Sequence, residues 1–278
     1  MVTPFDEDGG IDLPETAKLA RYLVEHGSHG LVVAGSTGEG STLEDDEKLE
    51  LLQVVLEEVG STTTVVLNTG SNDTRHSVEL TKMASSAGAD AGLVVAPYYN
   101  NPNPAGVYAH FEAVAEGSPD FPLIAYNIPS RSIINIDPAG LEELGKIDNI
   151  VALKQANDDE LQLIPGLAVL AGNDGTFLDA LEMGGAGGIL VAPHLVGDRM
   201  REIWDLAEAG NYEDAATIDN ELRPAYEAMG VTVNPIPVKT ALEAAGICSA
   251  TMRLPMVPAS KAEKAETLRL LAEAGVNL

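Results

Sequence analysis

The stretch "NIVALKQAND" (149–158) sets an apolar run, Ile150 to Leu153, directly before a lysine and a polar segment. A continuous apolar run that ends in turn-forming residues is typical of a strand buried on both faces of a parallel sheet. Lysine is rare in this chain, with eight among 278 residues. Lys154, at the end of a predicted buried strand, therefore calls for a chemical explanation.

Runs of the same kind recur along the chain, and helix-length amphipathic stretches such as 43–59 and 73–88 separate most of them. The runs are LVVAG (31–35), TTVVLNTG (63–70), AGLVVAP (91–97), FPLIAYN (121–127), LAVLAG (167–172) and GGILVAP (187–193). With the opening MVTPF (1–5) counted as a strand, eight β segments alternate with helices. This pattern predicts an α/β fold, a (β/α)8 TIM barrel. The alternative, an open doubly wound sheet, lacks its glycine-rich GxGxxG turn here.

The pattern changes after residue 195, where the remaining segments are helical in period and composition. We expect residues 1–195 to form the barrel catalytic domain. Residues 196–278 are expected to supply the final barrel helix and a C-terminal helical extension. No low-complexity segment or linker separates these parts.

Charge and composition exclude several classes of function. Forty-three acidic against 16 basic residues give a net charge of −27, which disfavours binding to nucleic acid or to anionic lipid. No apolar run is long enough for a membrane span, and the N-terminus lacks a signal-peptide pattern, so we expect a cytoplasmic protein. The single cysteine, Cys248, and five scattered histidines predict neither an internal disulfide nor a metal site.

In a barrel of this kind the active site lies at the carboxyl ends of the strands, where Lys154, Tyr126, Arg131 and the turn with Ser36 and Thr37 occur. Burial lowers the pKa of a lysine, and the free amine can then attack a ketone to form a Schiff base. Tyr126 offers a phenol as proton shuttle. The hydroxyls of Ser36 and Thr37 could pass protons or bind a carboxylate, and Arg131 could hold a second carboxylate through two hydrogen bonds.

Each of these features also has an ordinary structural explanation. Lys154 could be a solvated strand end, and Arg131 could pair with any of the acidic residues. The turn GSTGEGS (35–41) could serve only to cap the next helix through Ser41 or Thr42. Tyr98 and Tyr99 could be core or interface aromatics. The sequence leaves these alternatives open for each feature taken alone.

Five motifs together resemble a known family, in its order and at about its spacing along essentially the whole chain. They are GSTGEGSTL (35–43), PYYN (97–100), YNIPSR (126–131), ALKQA (152–156) and NPIPVK (234–239). On these residues the chain resembles the dihydrodipicolinate synthase/N-acetylneuraminate lyase family. Its members are class I, Schiff-base, pyruvate-handling (β/α)8 enzymes.

The resemblance implies catalytic roles for four residues. Lys154 is similar to the lysine that forms a covalent imine with pyruvate, so no separate cofactor is expected. Tyr126 resembles the acid/base phenol, and Ser36 and Tyr99 resemble the rest of its proton relay. In this family the second tyrosine of the pair reaches into a neighbouring subunit, which implies a homo-oligomer, a tetramer built as a dimer of dimers.

The resemblance also implies how the substrates bind. Thr37, with Ser36, would hold the pyruvate carboxylate, and Gly172 stands where a backbone group lines the site. Arg131 stands where the acceptor carboxylate binds, which favours condensation of pyruvate with L-aspartate 4-semialdehyde to 4-hydroxy-tetrahydrodipicolinate, in lysine and diaminopimelate biosynthesis. Ser36 replaces the threonine usual in that branch, so a 2-keto-3-deoxy sugar acid aldolase that releases pyruvate and an aldehyde stays open. A non-catalytic 2-oxo acid sensor on the same fold also stays open.

The dispersed negative charge generates a prediction about salt. Acidic residues that repel one another destabilise the compact state, and added salt screens this repulsion. We therefore expect a halophilic response, in which the melting temperature rises steeply between dilute buffer and molar KCl. A melting temperature that stays flat across that range, measured by scanning calorimetry, would contradict this interpretation of the −27 charge.

Overall fold

The computed structural model describes residues 1–278. In chain order the strands are β1 (Gly30–Val33), β2 (Thr64–Asn68), β3 (Ala91–Val95), β4 (Leu123–Asn127), β5 (Ile150–Gln155), β6 (Ala168–Ala171) and β7 (Gly187–Gly188). The helices are α1 (Leu13–Glu25), α2 (Asp45–Val59), α3 (Thr74–Ser86), α4 (Pro104–Gly117), α5 (Pro129–Ser132), α6 (Pro138–Leu144), α7 (Phe177–Glu182), α8 (Pro193–Glu208), α9 (Tyr212–Met229), α10 (Ile236–Ala244) and α11 (Lys261–Glu273).

The chain divides into two compact units. One consists of Met1–Thr64 with Val191–Leu278, and the other of Val65–Leu190. The first unit holds α1, β1, α2 and the helices α8 to α11. The second unit holds nearly all of β2, the strands β3 to β7 and the helices α3 to α7. The division into residues 1–195 and 196–278 expected from the sequence stays a prediction. No helix combines the length and apolar character that crossing a membrane requires.

The strands from β2 to β7 are all parallel, and each pairs with its successor in the chain. Helices connect these strands, except that β5 and β6 are joined by residues 156–167, which contain only a 3-10 turn at Asp158–Glu160. β4 is buried along its whole length, which agrees with the continuous apolar run that defines it. The register between β4 and β5 pairs Tyr126 with Lys154. The register of the sheet therefore makes the two residues neighbours on adjacent strands.

The predicted strands and the observed ones agree except at the two ends of the series. Of residues 187–193, only Gly187 and Gly188 form a strand. The opening segment 1–5 is not a regular strand, so seven strands are present where the sequence predicts eight. Phe5 makes one isolated antiparallel bridge with Ile11, and Pro4 has no N–H group with which to continue a ladder.

The core under β5 generates a stability prediction with an internal control. Leu153 is fully buried, whereas Val151 on the same strand is 43% exposed. We expect Leu153→Ala to lower the free energy of unfolding by about 2–5 kcal/mol through the cavity it leaves. Val151→Ala should cost under about 1 kcal/mol. Equal losses for the two variants in denaturant titrations would show that β5 is not packed as described.

Candidate active site

Lys154 and Tyr126 meet at the carboxyl ends of β5 and β4. The Lys154 Nζ atom lies 4.3 Å from the centre of the Tyr126 ring. Tyr126 is 4% exposed, while Lys154 keeps part of its surface accessible. The two residues predicted as the amine and its proton shuttle therefore lie in direct contact.

The electrostatic surroundings of Lys154 favour its neutral form. Burial is the largest influence and lowers the pKa of Lys154 to about 8; the negative charge of Asp174 opposes this shift and the positive charge of Arg131 adds to it. With that pKa about a tenth of the amine is free at pH 7, against about one part in three thousand for an unperturbed lysine. The explanation of Lys154 as a fully solvated strand end does not fit this environment.

A buried pair of side-chain amides lies next in sequence to the two reactive groups. Asn127 donates to the Gln155 side-chain oxygen at 3.0 Å, and both residues are almost fully buried. Asn127 also accepts from the backbone N–H of Ile136 at 3.0 Å, and Gln155 accepts from that of Asn157 at 3.1 Å. These bonds tie the ends of β4 and β5 to the loops that follow them, which limits movement of the neighbouring Tyr126 and Lys154.

Arg131 lies on the short helix α5, in the loop that follows β4. The side-chain hydroxyl of Ser132 is buried and donates to the carbonyls of Ile128 or Ile134, each at 2.8 Å. This fixes the course of the loop, while Arg131 itself is exposed. Its positive charge lowers the pKa of Lys154.

Gly172 follows β6 and packs against the end of β5. Its N–H donates to the Gln155 carbonyl at 2.6 Å, and a Cβ atom here would lie 2.7 Å from both the Ala156 Cβ and the Gln155 oxygen. Only glycine allows this approach of the two chain segments. The structure thus gives Gly172 a packing reason, and its predicted role in lining the site stays a prediction.

Tyr99 differs from the other predicted residues. It has a positive φ of 69° and its side chain is 84% exposed. An aromatic side chain with this exposure is not packed within its own chain. The structure therefore does not place Tyr99 in the buried group around Lys154.

The turn that carries Ser36 and Thr37 belongs to the first unit and follows β1. Thr37 accepts a hydrogen bond from the Asn234 amide at 2.9 Å, and the Thr3 hydroxyl donates to the Gly38 carbonyl at 2.6 Å. At Gly40 a Cβ atom would lie 1.9 Å from the Ala34 carbonyl oxygen, so the tight turn requires glycine.

This turn does not cap the helix that follows it. α2 begins at Asp45, and its N-cap is Glu44, which forms a reciprocal capping box with Glu47. The alternative in which Ser41 or Thr42 caps the helix is therefore wrong, and the turn's hydroxyl groups need another explanation.

Three residues of this region were not singled out from the sequence: Asn127, Gln155 and Asp174. A signal was present for the first two, because each is a polar amide that ends an apolar strand directly after a reactive residue. Asp174 is 8% exposed, and nothing in its loop sequence distinguishes it from the other acidic residues. The structure contains no group of three His, Cys, Asp or Glu side chains arranged to hold a metal ion.

The charges around Lys154 generate a prediction about its titration. Asp174→Asn removes the charge that raises the pKa of Lys154, so the pKa should fall below about 8. The measurement is the pH dependence of amine acetylation at Lys154, followed by peptide mass spectrometry. The exposed Asp179→Asn is the control and should leave the midpoint unchanged. A midpoint that rises in Asp174→Asn would contradict the description of this site.

Comparison with known proteins identifies relatives over nearly the full chain. The model of the dihydrodipicolinate synthetase family matches residues 1–274. A 4-hydroxy-tetrahydrodipicolinate synthase of Desulforamulus reducens is 43% identical, over 97% of this chain and 93% of the relative. One of Desulforudis audaxviator is 44% identical, over 99% and 95%.

Solved structures agree with the sequence relatives. A dihydrodipicolinate synthase of Acinetobacter baumannii, crystallised with pyruvate, matches with a TM-score of 0.96 and 33% identity over 100% of this chain and 97% of that one. The enzyme of Cyanidioschyzon merolae, crystallised with lysine bound, matches with a TM-score of 0.95 and 35% identity over the same shares. These neighbours and the parallel, chain-ordered strands fit an α/β TIM-barrel fold. The chain belongs to the dihydrodipicolinate synthetase family.

Proposed function

We propose that the chain condenses pyruvate with L-aspartate 4-semialdehyde and forms 4-hydroxy-tetrahydrodipicolinate through a Schiff base on Lys154. The observation that carries the proposal is the Lys154 amine, with its pKa lowered to about 8 by burial and in contact with the Tyr126 ring. The curated relatives named above carry the name of this enzyme over almost their whole length, which favours this reaction over the sugar acid aldolase.

Lys154 must begin the reaction as a neutral amine with a free electron pair, and at the end it must leave C2 as an amine. The neutral amine attacks the C2 ketone of pyruvate, and loss of water gives an iminium. A proton leaves the methyl carbon, and the resulting enamine attacks the aldehyde carbon of the semialdehyde. The amino group of the acceptor then attacks C2, closes the ring and releases Lys154. Each stage moves a proton, which the Tyr126 phenol can accept and return.

The remaining roles follow from the family resemblance and are part of the proposal. Thr37 and Ser36 bind the pyruvate carboxylate, and Ser36 with Tyr99 completes the proton relay of Tyr126. Gly172 contributes a backbone group. No cofactor is involved, since the lysine imine itself withdraws the electrons. The 84% exposure of Tyr99 supports a place for this ring in a neighbouring subunit, in a homotetramer assembled as a dimer of dimers.

The proposal extends to architecture and location. The strands are proposed to close into an eight-stranded (β/α)8 barrel, in which the segment 1–5 takes the place of the first strand. A helical extension follows the barrel at the C-terminus. Cytoplasmic location agrees with a biosynthetic activity on small metabolites and likewise belongs to the proposal.

Arg131 decides between the condensation and the aldolase alternative. Its guanidinium can bind the carboxylate of the semialdehyde through two hydrogen bonds, whereas a neutral sugar aldehyde offers no such group. We expect Arg131→Ala to lower kcat/KM for the semialdehyde by about 100-fold, the value of a strong charge-assisted contact. The exposed Arg75→Ala is the matched control and should retain wild-type turnover.

The assay compares L-aspartate semialdehyde with glyceraldehyde as acceptor for pyruvate in molar KCl. Turnover with the semialdehyde alone, lost in Arg131→Ala, supports the proposal. Turnover with glyceraldehyde alone, unchanged in Arg131→Ala, assigns the chain to the aldolases instead. Binding of pyruvate with no turnover of either acceptor would favour the non-catalytic sensor.

A further inference from the structure

Lys239, in α10 of the first unit, is a fully buried cation to which the proposed chemistry gives no role. Its side chain is 0% exposed. Its Nζ atom donates to a Glu39 carboxylate oxygen at 2.5 Å and to the Thr251 carbonyl at 2.7 Å. A third contact is with the Phe5 ring, whose centre lies 4.4 Å away. Each side of this ammonium is therefore occupied by the protein itself.

Glu39 belongs to the turn Gly35–Gly40, which also holds Ser36 and Thr37. Its carboxylate is 2% exposed, and its backbone has a positive φ of 54°. Left-handed backbone is unfavourable for a side chain of this kind and persists only when the surroundings hold it in place. The buried bond to Lys239 supplies that constraint.

Arg253 completes the cluster from a third segment of the chain. Its backbone N–H donates to the second Glu39 carboxylate oxygen at 3.1 Å. Its guanidinium donates to the carbonyl of Thr42 at 2.9 Å and to both carboxylate oxygens of Glu47. Both ends of the chain segment 39–47 are thereby held by one residue. We call Glu39, Lys239 and Arg253 the anchoring cluster.

A buried ion pair adds little net stability compared with apolar groups of similar volume, because desolvation offsets the attraction between the charges. In some proteins a buried pair of this kind specifies geometry, because each charge must stay where its partner is. Here the geometry that is defined is that of the turn, whose hydroxyl groups and amides would bind the substrate carboxylate.

We propose that the anchoring cluster is a positioning device, which holds the turn Gly35–Gly40 in the form in which Ser36 and Thr37 can bind the carboxylate of pyruvate. The assignment rests on the proposed function. Glu39 and Lys239 touch no reactant and act only through the turn. Loosening the turn weakens the hold on the pyruvate carboxylate and raises the KM for pyruvate, and because Ser36 also belongs to the proposed proton relay, it lowers kcat as well.

The test uses two variants and a matched control in the full-length chain. Glu39→Gln removes one charge, and Glu39→Gln with Lys239→Met removes the pair, a replacement that proteins often tolerate without loss of stability. The control, Glu266→Gln with Arg269→Met, removes an ion pair from the exposed face of α11. The measurements are melting temperature, hydrogen exchange of a peptide covering residues 34–43, and pyruvate kinetics with L-aspartate semialdehyde.

We expect the double variant to remain folded, its 34–43 peptide to exchange faster, and its KM for pyruvate to rise about tenfold, the loss of roughly one charge-assisted hydrogen bond. Its kcat should fall together with the rise in KM, because Ser36 of the same turn belongs to the proposed proton relay, and the control should match the wild type. Should both variants unfold, Glu39→Asp, which keeps the charge but shortens its reach, is measured in the same way with the same expectations.

A folded variant with wild-type exchange and wild-type KM overturns the proposal, and so does a fall in kcat at constant KM. The proposed function is judged separately, by whether the wild type turns over pyruvate at all. Should it not, the exchange data alone still decide whether the cluster orders the turn.

Discussion

The desolvation of one ammonium group, that of Lys154, is the constraint on which the proposed chemistry depends. An amine at the end of β5 becomes nucleophilic near neutral pH only because burial lowers its pKa to about 8. The register of the parallel sheet places it beside Tyr126, and the buried bond between Asn127 and Gln155 holds the ends of the two strands together. The pairing of β4 with β5 therefore brings Tyr126 and Lys154 together without a further structural element.

The chain as a whole is strongly negative, whereas Arg131 places a positive charge near Lys154. A net charge of −27 repels small anions such as pyruvate, so the field of the surface alone does not favour binding. Arg131 supplies a local positive charge and also lowers the pKa of Lys154, while Asp174 acts in the opposite sense. Burial has the larger effect on this pKa, and the two charges modify it in opposite senses.

Much of this arrangement could be predicted from the sequence, and the exceptions have identifiable causes. The apolar runs located all seven strands, because burial on both faces leaves a pattern that needs no knowledge of the neighbours. The segment 1–5 has the composition of a strand, but its pairing depends on partners distant in sequence and Pro4 interrupts it. Lys154 and Tyr126 were identifiable because a lysine and a tyrosine are unusual at the ends of buried strands. Asp174, Lys239 and Arg253 were not, since a buried charge is distinguished from a surface charge only by partners that the fold supplies.

The central claim is that the Lys154 amine forms an imine with pyruvate, and borohydride reduction tests it most directly. Treatment of the protein with pyruvate and borohydride, followed by peptide mass spectrometry, should show one reduced pyruvate adduct, on Lys154, and none in Lys154→Arg. The yield at short times should rise as the pH passes through about 8 and level off above it, since the free amine is the reacting form. An adduct on another lysine, or no adduct at any pH while pyruvate is consumed, would contradict the account.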